Sequence, residues 1–207
     1  MHPTKGQQTR RRIVEVSAPV FNRLGYVGSS MRDLIDATGL EKGGIYNHFG
    51  SKEQLALEAY DHSMNLVENS LARSQEGDKS GYERLVALVH AFAASARKPV
   101  IDGGCPIMNT AIEADDTHPE LRDRARHSMN NWHRLIGRRV KDGITDGTIA
   151  AGTDPYQLAS VLTSSLEGAL MLTRLFDDPA HMDRVVAHVL DHLHTLRPSP
   201  RNESKEA

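Results

Sequence analysis

Cysteine is nearly absent. Cys105 is the single one in 207 residues, so no internal disulfide framework can form and a reducing compartment is expected. No stretch of about 18 apolar residues exists, so no membrane span is expected. The opening Met-His-Pro-Thr-Lys-Gly lacks an apolar signal core, and the expected location is the cytoplasm. Period-two alternation is missing, which argues against strands. There is no tandem repeat and no low-complexity tract. A glycine-rich phosphate loop, a nucleophile elbow and a metal-spaced cluster are also missing, so neither a cofactor nor an enzyme is expected. Asp115-Asp116 reads more simply as a helix end.

What the chain does have is helical periodicity and an uneven charge. Net charge is −2, yet residues 1–52 hold eight Lys/Arg against four Asp/Glu, +4, leaving −6 for the rest. A basic end on an acidic protein is the footprint of phosphate contact at that end. The run Arg10-Arg11-Arg12 would lie near a DNA backbone, or else form a solvated face.

Residues 9–24 carry Ile13, Val16, Val20, Phe21 and Leu24 at spacings of three and four, one apolar helical face, and Gly25 is the stop. Ser30 and Asp33 form a capping box for a second helix that buries Leu34 and Ile35 and ends near Thr38. Gly39 makes the turn between two steeply crossing helices. A short third helix over residues 42–49 sets Ile45 and Phe49 inward and leaves Tyr46, Asn47 and His48 projecting outward. Such a helix suits the DNA major groove, about 12 Å wide. Ser51-Lys52-Glu53-Gln54 is a further capping box, opening a fourth helix that carries Leu55, Ala59 and Leu66.

This order of elements, with Gly25-Tyr26, Ser29-Ser30-Met31-Arg32-Asp33-Leu34, Thr38 through Phe49 and Ser51-Lys52-Glu53, resembles the DNA-binding domain of the TetR family of bacterial transcriptional regulators. Ile35 stands where that family usually has alanine, and Glu41 where serine often caps the recognition helix. The resemblance implies that Ser30, Arg32, Lys42, Gly43, Tyr46, Asn47, His48 and Lys52 fall at DNA-contacting positions. Arg32 and Lys42 can donate to guanine, and Asn47 can pair with adenine. Ser30, Tyr46, His48 and Lys52 suit phosphates. Gly43 and Gly44 leave the start of the helix bare enough for backbone approach.

The rest of the chain also reads as helices. The fourth runs to Ser74, a polar loop follows over residues 75–81, and a fifth spans 82–97 with Leu85, Val89 and Phe92 inward. Pro106, Pro119, Pro155 and Pro179 open four more. The eighth is apolar almost all round (Leu158, Val161, Leu162, Leu166, Ala169, Leu170, Leu172, Leu175) and reads as buried on several sides. The ninth has Val185, Val186, Val189, Leu190 and Leu193 along one face. Both resemble the dimer-forming helices of the family, and two-fold pairing on a pseudo-palindromic site would supply the bases one short helix cannot read.

The fold class is therefore all-α, about nine helices: a three-helix DNA-binding domain (1–52), a helical effector-binding and dimerisation domain (53–197), and a disordered tail (198–207). The resemblance implies an effector pocket, and mixed Met, Trp, small and isolated polar residues on the middle helices suit one lined by Val86, His90, Ala93, Cys105, Met108, Asn109, Ile112, Met129, Trp132, His133, Ile136, Ser165 and Leu166. Asn109 is its foremost polar contact. Cys105 is either a buried small hydrophobe or, at a helix N-terminus, an electrophile or oxidant sensor. His181, His188 and His192 share one side of the ninth helix and read as a solvated or dimer-rim face before a metal site. The expected partners are double-stranded operator DNA, a second copy of the chain and an unidentified small-molecule effector, with no membrane. The expected function is a ligand-responsive regulator, a repressor in most of the family. A constitutive DNA-binding protein without an effector is the alternative.

Overall fold

Thr4 starts the first helix earlier than the apolar spacing alone suggests. Its hydroxyl accepts from the Gln7 amide (3.3 Å) while the Gln7 side chain accepts from the Thr4 amide (2.8 Å), a reciprocal capping box built on T-x-x-Q. A computed structural model describes residues 3–198, and the described residues form nine α-helices and no strand. Of the tail expected from 198 onward, everything past Pro198 lies outside the described residues.

The helices are α1 (Lys5–Gly28), α2 (Met31–Thr38), α3 (Lys42–Tyr46), α4 (Lys52–Ser74), α5 (Gly81–Arg97), α6 (Pro106–Ala114), α7 (Pro119–Thr145), α8 (Pro155–Phe176) and α9 (Ala180–Thr195). Gly25 interrupts α1 where the stop was expected, at φ 75° and ψ 171°. α3 is five residues long, shorter than the expected 42–49. Its N-cap Glu41 supplies no capping bond, two of its five residues are glycine, and residues 47–49 close as a turn.

The chain forms two compact units that cut it differently from the boundary expected at residue 52, where α4 is just beginning. One unit joins everything up to Ala72 to Ser95–Asn131; the other joins Arg73–Ala94 to the segment from Trp132 onward. In the first, Ile13, Val14, Leu34, Ile45, Phe49 and Leu55 form one buried cluster. Tyr60, Met64, Ile107, Ala114, Leu121 and Ala125 form another. α1 packs on both α2 and α6. The imidazole Nδ1 of His118 accepts from the Leu121 amide (3.2 Å) and so caps the start of α7.

In the second unit, Ser80 and Glu83 form a capping box at α5. The first residue of α5 lies against α7: a Cβ on Gly81 would stand 2.0 Å from the Gly143 nitrogen. The Gly81 amide donates to Asp146 (2.7 Å). Asp154 caps α8 by accepting from the Tyr156 and Gln157 amides, and α8 packs on α9.

The expectation that α8 is buried on several sides does not hold within one chain. Leu158, Leu162, Leu166, Ala169 and Leu170 are buried, whereas Val161, Met171, Leu175 (69% exposed) and Phe176 (61%) face outward. α8 is thus apolar on two faces, of which this chain covers one.

Candidate nucleic-acid interface

The helix-turn-helix is assembled from short-range bonds that the sequence announces. The Ser30 hydroxyl accepts from the Asp33 amide (3.2 Å), and Asp33 accepts from the Ser30 amide (2.7 Å) and hydroxyl (2.6 Å). The side-chain bond and then the backbone bond from Ser30 hold the Asp33 carboxyl below its ordinary value. Gly39 takes the left-handed conformation at φ 69° and its amide closes on Ile35. Thr38 bonds back to the Leu34 carbonyl (2.7 Å) and accepts from the Leu40 amide (3.3 Å), which fixes the turn into α3.

Ile45 and Phe49 are buried beside Leu34 and Leu55, so α3 presents its other face. Lys42, Gly43, Tyr46 and Asn47 are exposed, with Gly44 and His48 half-buried. The Lys42 ammonium lies 5.8 Å from the centre of the Tyr46 ring. Nothing lies within 4 Å of a Cβ built on Gly43. Ser30 is exposed at the start of α2, although its hydroxyl is committed to the cap. The Arg32 side chain is 89% exposed and only 3.9 Å from Asp36, a distance at which it remains available to a ligand.

Two basic residues are used differently from the sequence expectation. Lys52 turns inward: its ammonium donates to the Tyr26 and Ser29 carbonyls and lies 4.5 Å over the Tyr26 ring. Burial lowers its pKa, and the charges of Glu113 and Asp33 oppose that shift. Of the run Arg10-Arg11-Arg12, Arg10 is half-buried and turned onto the protein. It forms a two-pronged ion pair with Glu58, donates to the His48 carbonyl (3.3 Å) and stacks 4.5 Å over Phe49. It therefore ties the end of the recognition segment to α4. Arg11 pairs with Glu15 (2.6 Å), and Arg12 is exposed.

Of the thirteen residues expected around an effector, Cys105, Met108, Asn109, Ile112 and Met129 belong to the first unit and the other eight to the second. The Asn109 side-chain nitrogen is committed within the protein. Its amide donates to the Gly103 carbonyl (2.9 Å) and to the backbone (3.0 Å) and side-chain (3.3 Å) oxygens of Asn22, pinning α6 to α1. Ile112 is 72% exposed. Cys105 occupies the N-cap of α6, half-buried, and Met129 packs on the Tyr60–Ile107 cluster. In the second unit, Ala93, Ile136 and Leu166 are core and His90 is exposed. Val86, His133 and Ser165 are half-buried. Trp132 donates to Thr163 (3.0 Å) and lies 6.3 Å from the Phe92 ring. His181 stacks on Phe176 (5.3 Å), and among the described residues no three His, Cys, Asp or Glu are grouped to hold a metal. No described helix is long and apolar enough to cross a membrane.

The residues that sequence reasoning missed are those paired over long separations. Glu113 accepts from the Tyr26 (2.9 Å) and Val27 (2.8 Å) amides. His118 sets its Nε2 3.1 Å from Glu53, off the hydrogen-bonding direction, and its ring edge-on to Tyr26 (4.7 Å). Tyr60 is buried deeply enough to push its hydroxyl up to about 12. No local pattern marks these.

Two family models match the chain: bacterial regulatory proteins of the tetR family over residues 13–59, and a tetracyclin repressor-like C-terminal domain over residues 81–189. A TetR transcriptional regulator from Chloroflexus aurantiacus J-10-FL is 40% identical, with a TM-score of 0.91 over 94% of this chain and 99% of that one. The HTH-type transcriptional repressor DhaR of Mycobacterium sp. (strain GP1) is 26% identical over 96% of this chain and 97% of its own length. A cysteine mutant of the TetR-family regulator CifR, solved on 26-base-pair double-strand operator DNA, is 25% identical with a TM-score of 0.75, covering 91% of this chain and 96% of that one. With an exposed polar recognition helix on a glycine-turned helix pair, and with these relatives along nearly its whole length, the chain belongs to the TetR family of bacterial transcriptional regulators, DNA-binding proteins and not enzymes.

Proposed function

We propose that this protein is a repressor that binds a pseudo-palindromic operator as a homodimer and is released by an effector. The observation that carries the reading is the division of α3: Ile45 and Phe49 are sealed in the core while Lys42, Tyr46 and Asn47 face out. On this reading Arg32, Lys42 and Asn47 meet base edges, Ser30, Tyr46 and His48 hold phosphates, and bare Gly43 and Gly44 allow the α3 backbone close to the groove. Lys52 acts from inside, by fixing the α1–α2 junction.

One recognition helix reads too few bases for an operator, so two copies are required. The uncovered face of α8, with Val161, Met171, Leu175 and Phe176, is the surface on which a second copy closes, together with α9. Repression is supported by the relative named as a repressor and by the relative seen on operator DNA. For the effector, the supporting residues are those of the second unit around Trp132: Phe92 and Thr163, an aromatic pair with a hydroxyl at its edge. Modification of Cys105 is a second release route, favoured by its partial exposure at the start of α6.

Footprinting on the DNA flanking the gene, repeated over a salt series, tests the central reading. Two protected half-sites related by a dyad are the expected result; diffuse, steeply salt-dependent protection is the result for phosphate contact without readout. With the footprinted duplex as probe, a quinone or hypochlorite should displace wild type and leave Cys105→Ser bound if the thiol route operates. A thermal shift on screening small molecules separates effector control from constitutive binding.

A further inference from the structure

The α1–α2 junction is held from outside the helix-turn-helix. With Gly25 at φ 75° and ψ 171°, α1 loses its regular path just before Tyr26, and the Tyr26 and Val27 amides are taken up by Glu113 on α6, one on each carboxylate oxygen (2.9 and 2.8 Å). On the carbonyl side, Lys52 at the start of α4 donates to the Tyr26 and Ser29 carbonyls. The next residue is Ser30, the N-cap of α2. A carboxylate from α6 and an ammonium from α4 thus grip the same four-residue link, 26–29, from opposite polarities, and charge-assisted bonds of this kind are the stronger ones. The backbone there demands glycine, at φ 75° and ψ 171°, and a Cβ on Gly25 would also lie 2.5 Å from a Glu113 oxygen.

Three further bonds keep α6 in register for this grip. Asn109, one turn before Glu113, donates to Asn22, and Asn22 donates to the Asp102 (2.8 Å) and Gly104 (3.1 Å) carbonyls of the loop entering α6. Beside Glu113 the helices leave a crevice lined by Phe21, Asn22, Tyr60 and Thr110, with room for roughly two waters.

We propose that Glu113 is a positioning residue for sequence-specific DNA binding: by holding the Tyr26 and Val27 amides it fixes where α2 starts, and so where Ser30 and Arg32 stand relative to α3. The operator-reading unit then extends beyond residues 13–59 to include α6. This rests on the reading of Arg32 and α3 as operator contacts.

The test compares affinities of wild type and Glu113→Gln, at one salt concentration, for a duplex that wild type selects from random sequence and for its scrambled counterpart. Removing a negative charge by itself strengthens phosphate contact on any sequence, so charge and positioning predict opposite signs. The expected result is about a tenfold loss on the selected duplex with no loss on the scrambled one, the order of a 1.4 kcal/mol change. Amide exchange at Tyr26, Val27 and α2 should quicken in the same variant. Glu113→Asp should fall between wild type and Glu113→Gln. Binding that is unchanged or tighter on both duplexes overturns the proposal. So does an equal loss on both with a lower melting temperature, which would mark a purely structural role. If wild type enriches no duplex at all, the operator reading fails first, before any variant is made, and the proposal falls with it.

Discussion

Arg32 and Asp33 are neighbours with opposite commitments. Arg32 is bound to nothing firmer than an exposed carboxylate at 3.9 Å, and its guanidinium keeps the two-pronged donor set that guanine requires. Arg32→Ala should therefore cost roughly 1–3 kcal/mol on the operator and relax discrimination at one base pair; equal losses on operator and scrambled duplexes in a binding assay would reject that role. Asp33 is bound up in the α2 cap, and the two Ser30 bonds lower its pKa from 3.8. A carboxylate depressed in the folded state adds stability that is complete above its unfolded value and is lost as pH falls through the folded one. Melting of wild type against Asp33→Asn should show a gap at pH 7 that closes on acidification below the ordinary aspartate value of 3.8.

At the scale of elements, the ends of helices were legible and their crossings were not. Ser30-x-x-Asp33, Gly39, Pro106, Pro119 and Asp154-Pro155 each mark a terminus through bonds spanning a few residues, and the observed ends follow them. The exceptions have local causes: Thr4-x-x-Gln7 lengthened α1, and two glycines behind a non-capping Glu41 shortened α3. Gly81, by contrast, read as the end of a polar loop, and nothing marked Gly143. Their role is a close crossing of α5 on α7, which no sequence window contains. Gly81→Ala puts a methyl 2.0 Å from the backbone of Gly143, and since α7 cannot yield there, about 3 kcal/mol or more of stability should be lost in denaturant unfolding. Gly147, with nothing within 4 Å of an added Cβ but a φ of 75°, serves as the comparison that isolates backbone strain.

For the whole molecule, the question left by a single chain is what covers α8. Leu175 and Phe176 are large, apolar and mostly exposed, next to a helix pair whose inner face is already filled. A second copy is the occupant that the proposed two-half-site operator demands. Leu175→Glu with Phe176→Glu should convert a dimer to a monomer in sedimentation while leaving the helical content unchanged. Operator affinity should fall steeply, because each monomer then holds one half-site alone. A sedimentation profile identical to wild type would move the dimer surface elsewhere.

The sequence by itself determined the class of helices, their order, their caps and the outward set of α3, because each is written in bonds or spacings that close within about one turn. It also fixed the family, since the run from Gly44 to Lys52 is a contiguous pattern. Only the tertiary structure decided which polar residues are spent inside. Lys52 and Arg10 looked like phosphate contacts and are structural ties, Asn109 looked like a ligand contact and pins α6 to α1, and Glu113 gave no signal at all. The physical reason is common to them. A long polar side chain has several partners within reach of its length, and the choice among them depends on backbone brought alongside from tens of residues away.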